Sequence, residues 1–85
     1  MTRLIPVADR IIRARALIQT AREVPIPEDG GKYEFSYIAT VKDYLRQARD
    51  MIKFIPQSAG ASAEIKAEAA LIFKEIEQAD KEILH

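Results

Sequence analysis

Apolar residues recur along this chain at alternating intervals of three and four, and that rhythm admits only helices. Leu4, Val7, Ile11, Ala14, Ile18 and Ala21 form a first run; Ile38, Val41, Leu45, Ala48, Ile52 and Ile55 form a second. Ile65, Ala69, Ile72, Ile76, Ala79 and Ile83 form a third. At about 100° per residue such spacing keeps each set on one helical stripe, whereas a strand alternates every second residue. Tyr37, Tyr44 and Met51, seven apart on the flank of the second run, widen its apolar arc to roughly 140°.

Proline and glycine divide the runs. Pro6 suits a first helical turn, where its missing N–H costs little, so the first helix is expected over about residues 6–23. Val24 precedes Pro25 and Ile26 precedes Pro27, which pushes this stretch toward extended backbone. Glu28-Asp29-Gly30-Gly31 supplies the turn that follows. The second helix is expected over about residues 33–55 and stopped by Pro56. Ser62 is a good N-cap for a third helix over about residues 63–84, and Glu64 complements the dipole in its first turn. Helices of these lengths are roughly 27–35 Å long, well matched, and joined by loops short enough to make neighbours antiparallel. The expected fold is all-α, a three-helix up-down-up bundle with residues 1–85 as a single helical domain. An 85-residue chain buries only about 60–65% of its unfolded surface, so a thin core completed by dimerisation is also expected.

Charge is neutral in total, with 13 basic and 13 acidic residues, but it is graded along the chain. The first helix together with Arg3 before it carries +3, the second +1 and the third −3. Arg3 and Arg10 lie on one shoulder of the first stripe, Arg15 and Arg22 on the other, while Glu64, Glu68, Glu75 and Glu82 follow one shoulder of the third. Two readings follow: ion pairs between helices 1 and 3 that set the bundle's register, or stripes meeting across a symmetric dimer. Exposed pairs of this kind contribute little stability, so they select an arrangement more than they hold it.

A further line has no partner in that scheme. Lys42, Arg46, Arg49 and Lys53, spaced 4, 3, 4, run down helix 2 at roughly 130° from the centre of its apolar arc. Phe35 continues the line seven residues before Lys42. An exposed aromatic beside four cations suits an acidic protein surface or a stacked nucleobase. The plainer reading is a solvated helix face with Asp43 and Asp50 nearby, and with Phe35 packed as a staple at the helix entrance.

Catalytic and metal-binding chemistry finds little support. The chain has no cysteine, and its one histidine is the terminal His85. That excludes thiolate chemistry and the Glu-x-x-His ligands of di-metal helical bundles. Glu64 and Glu68, four apart on a helix, read as a surface stripe. Tyr33, Tyr37 and Tyr44 read as a boundary layer that buries rings and wets hydroxyls. Ala59-Gly60-Ala61-Ser62 superficially suggests a helix-turn-helix, but Pro56 breaks the preceding helix and Glu64 and Glu68 would repel phosphate. No phosphate loop or dinucleotide fingerprint occurs. No apolar run approaches the ~20 residues that cross a bilayer, and Met1–Pro6 lacks the apolar stretch of a secretory signal.

The expectation is therefore a cytoplasmic, non-enzymatic module for protein–protein interaction or assembly. It needs no cofactor or metal and makes no membrane contact. Its partner is another protein, a second copy of itself included, and its partner-binding residues are Phe35, Lys42, Arg46, Arg49 and Lys53. The alternative is a nucleic-acid-associated accessory protein using the basic faces of helices 1 and 2.

Overall fold

The computed structural model describes residues 6–84. Leu4 at the start of the first stripe, Arg3 on its shoulder, and His85 lie outside them. The protein is an all-α three-helix bundle: α1 is Val7–Glu23, α2 is Phe35–Ile52 and α3 is Ala63–Leu84. Single 3₁₀ turns, Gly31–Tyr33 and Ile55–Gln57, precede and follow α2. None of these helices is long and apolar enough to cross a membrane.

The stripes become the core. Ile11, Ala14, Ile18 and Ala21 from α1 are buried with Val41, Leu45, Ala48 and Ile52 from α2 and Ala69, Ile72, Ile76 and Ala79 from α3. Val7, Ile38, Ile65 and Ile83, at the ends of the runs, are half-buried and pack against that core. Five of the buried positions are fully enclosed alanines, Ala14, Ala21, Ala48, Ala69 and Ala79, whose single methyl lets helix backbones approach closely.

Helix boundaries depart from the sequence reading for identifiable reasons. Pro6 sits one residue outside α1, where its carbonyl accepts from Arg10 N–H at 3.0 Å. At the other end Val24 is extended, φ −61° and ψ 125°, as a pre-proline residue prefers. The second helix was expected over 33–55, but it runs only Phe35–Ile52. Pro56 has no N–H to offer the carbonyl of Ile52, and its ring crowds that carbonyl, so α-helix cannot pass Ile52. The chain closes instead through 3₁₀ bonds from Gln57 N–H to Phe54 and from Ser58 N–H to Ile55. Ile55 is still buried, so the apolar stripe outlasts the helix that carries it.

The tyrosines do not form one layer. Tyr37 is buried, Tyr44 half-buried and Tyr33 74% exposed beside the Lys32 ammonium, 5.5 Å from its ring centre. Tyr33 falls in the 3₁₀ turn before α2, where the helical periodicity does not apply.

Glu34 caps α2. Its carboxylate accepts from the backbone N–H of Ser36 at 3.0 Å and of Tyr37 at 2.8 Å, satisfying two otherwise orphaned donors. Those bonds, Ser36 first, hold the Glu34 carboxyl below the ordinary value of 4.5. Gly30, in left-handed backbone at φ 84°, directs the chain into this cap, and a Cβ there would lie 3.2 Å from the Glu34 Cβ. On α3, Ser62 Oγ accepts from Ile65 N–H at 3.2 Å, the cap expected of it.

A carboxyl with a lowered pKa stabilises the fold while ionised. That contribution is complete above pH 4.5 and is lost as pH falls below it through the folded value. Glu82 is lowered likewise, by the Gln78 amide first and then by Arg22. Circular-dichroism melts should therefore be flat from about pH 8 to pH 5.5 and fall in acid. Glu34→Ala should cost a few degrees at pH 7 and less at pH 3; an equal cost at both would show that the cap does not act through its charge.

Candidate functional site

One basic shoulder of α1, that of Arg15 and Arg22, is paired within the chain. Arg15 reaches Glu68 at 3.8 Å and Glu75 at 3.6 Å, and Arg22 reaches Glu82 at 2.5 Å. Arg15 to Arg22 and Glu75 to Glu82 are both steps of seven residues, so the pairs repeat with the heptad and hold α1 and α3 parallel, as up-down-up topology requires. These ion pairs answer Glu68, Glu75 and Glu82 of the acidic stripe within the chain.

The α2 line takes no part in that pairing. Lys42, Arg46, Arg49 and Lys53 are all exposed. Arg46 bonds Asp43 one turn back at 2.6 Å, and Lys53 bonds Asp50 at 3.3 Å. The Lys53 ammonium also lies 5.1 Å from the centre of the Phe54 ring. Phe35, at the first position of α2, is 87% exposed. It is not a staple: the Glu34 cap starts the helix with the ring outside.

Lys42, Arg46 and Arg49 form one wall of an open groove of about 390 Å³ between α2 and α3. Leu45 and Ile76 are its floor. Glu77 and Asp80 rise on the α3 side, with Lys81 behind them. A shallower depression over Ala39, Asp43 and the same two cations, Lys42 and Arg46, continues the surface toward Phe35. Lys53 stands apart, engaged with its own neighbours, so the structure brings three of the four cations to one groove and leaves the fourth outside.

Sequence reasoning missed the acidic wall. Glu77 and Asp80 lie three apart on the shoulder of the α3 stripe opposite Glu64, Glu68, Glu75 and Glu82. That two-sided acid distribution was the available signal. Among the described residues no group of three or more His, Cys, Asp or Glu is arranged to hold a metal ion.

The groove presents two ammonium groups, two guanidinium groups and two carboxylates. What it offers is a bipolar slot, cationic on one bank and anionic on the other, with apolar side chains between. No protein-family model, curated protein or solved structure matches this chain.

Proposed function

We propose that this protein is a small helical interaction module, without catalytic activity of its own, whose docking surface is the basic line of α2 and the groove beside it. One observation carries the reading. Arg15 and Arg22 of α1 pair across the bundle with glutamates of α3, whereas Lys42, Arg46 and Arg49 of α2 line an open groove and Phe35 stands 87% exposed at the start of the same helix. Arginine and large aromatics are the residues that dominate binding energy at protein interfaces. The partner is a protein surface bearing acidic groups for the cations of α2 and basic groups for Glu77 and Asp80. The facing acidic wall, Glu77 and Asp80, repels a phosphate backbone and disfavours the nucleic-acid alternative. The cysteine-free sequence supports a cytoplasmic setting.

The test is capture from an extract of the native cells by the immobilised protein and by its Arg46→Glu/Arg49→Glu form. Both changes are on exposed side chains, so melting should move little, within about 0.5 kcal/mol per site. The reading requires the double change to abolish protein capture while helicity and melting persist. Unchanged capture overturns it. Capture that generic duplex DNA displaces, and that moderate salt removes steeply, would move the assignment to nucleic acid.

A further inference from the structure

The bundle is thinner and wider than three close-packed helices need to be. Its radius of gyration is 14.4 Å and its extents are 47 × 30 × 16 Å, against about 12 Å for a compact domain of this length. The contact between α2 and α3 is the least extensive of the three helix pairs, and the groove opens there.

We propose that the occupant of this groove is a second copy of the chain, docked about a two-fold axis parallel to the helices. The inference rests on the reading of α2 as a docking surface and names its partner. Symmetry and charge together select this geometry. In a two-fold interface the same patch meets itself, so each wall must find its complement on the identical surface. A two-fold running across the helices sets α2 on the partner's α2, cation against cation. A two-fold running along them sets α2 on the partner's α3 at the same height. Lys42, Arg46 and Arg49 then meet Glu77 and Asp80 of the partner, and the reciprocal set forms on the other side of the axis. Opposed walls of one groove lie at one level by construction, so the matched height needs no sliding of the copies.

The apolar residues fit the same arrangement. Phe35 stands one heptad before Lys42, and Ile38 one heptad before Leu45. Phe73 stands one heptad before Asp80, and Leu84 one heptad after Glu77. Ile38, Phe73 and Leu84 are half-buried in the single chain and Phe35 is almost wholly exposed. Docking along the helices carries the Phe35 ring to the last turn of the partner's α3. The outcome is a four-helix layer of α2, α3 and their copies in which neighbours alternate in direction. The charged walls fix register and orientation, and the apolar groups supply the area.

Light scattering on gel-filtered protein tests this by charge exchange. The wild-type chain should show twice its 9.6 kDa mass at micromolar concentration. Arg46→Glu/Arg49→Glu leaves both walls acidic, and Glu77→Arg/Asp80→Arg leaves both basic, so each double variant alone should run as a folded monomer. An equimolar mixture of the two should recover the dimer, because every wall again meets its opposite. A wild-type mass of 9.6 kDa at every concentration, or folded variants whose mixture stays monomeric, would overturn the proposal. Where a variant fails to fold, zero-length carbodiimide cross-linking of mixed ¹⁴N and ¹⁵N wild-type protein decides. Hetero-isotopic Lys42–Glu77 or Lys42–Asp80 links support the dimer, and purely intrachain links sink it. A monomeric wild type whose charge-reversed form loses capture of a different protein overturns the homodimer alone. A monomer whose capture ignores the charge reversal overturns the docking surface as well.

Discussion

Ile72→Ala should lower the melting temperature by at least about 8 °C. Ile72 is fully enclosed, at 0% exposure, in the middle of the longest helix, with core side chains from α1 and α2 in the same cluster. Truncating a filled core isoleucine costs about 2–5 kcal/mol, from lost transfer energy and from the cavity that rigid neighbours leave. In a domain this small 1 kcal/mol is worth roughly 4–8 °C, and the total stability is only a few such units. Ile72→Val should cost about 0.5–1.5 kcal/mol and report the same site gently. Denaturant titration of the three proteins checks both. A shift under about 2 °C for the alanine variant would be incompatible with Ile72 lying in the core.

Ala48→Leu should be nearly as damaging for the opposite reason. Ala48 is at 0% exposure on α2, in one core cluster with the enclosed Ala14 and Ala21 of α1, and α1 and α2 share the most extensive helix contact in the molecule. Added methylenes have no space to enter, so the helices must separate or the leucine must take a strained rotamer. Overpacking of this kind costs about 1–3 kcal/mol. Ala70→Leu makes the same chemical change at an exposed position of α3 and should alter stability little. Equal melting of the two variants would mean that the α1–α2 contact is not close-packed.

Much of the site was legible from residue order. The 4, 3, 4 spacing of the α2 cations permits only one outward line on a helix, and all four are exposed. Phe35 was open to two readings, anchor or staple. The Glu34 cap resolves them: two backbone bonds start the helix without help from the ring. Apolar periodicity and α-helix part at the end of α2. Ile55 continues the apolar rhythm, yet Pro56 ends the hydrogen-bond ladder at Ile52, and a 3₁₀ turn carries Ile55 into the core.

By itself, the sequence determined everything that depends on neighbours within two turns. That covers which residues form helices, which stripe of each helix is buried, and at what angle around its own axis each charge projects. These are local quantities, set by backbone geometry and proline chemistry. Which helix each charge faces was decided only by the tertiary structure. Three helices with the same seams can be wound with the third on either side of the first two, and both windings bury identical stripes. The hand of the bundle then assigns the shoulders of α3. In this protein it turns Glu68, Glu75 and Glu82 to Arg15 and Arg22 of α1 and leaves Glu77 and Asp80 facing Lys42, Arg46 and Arg49 across the groove.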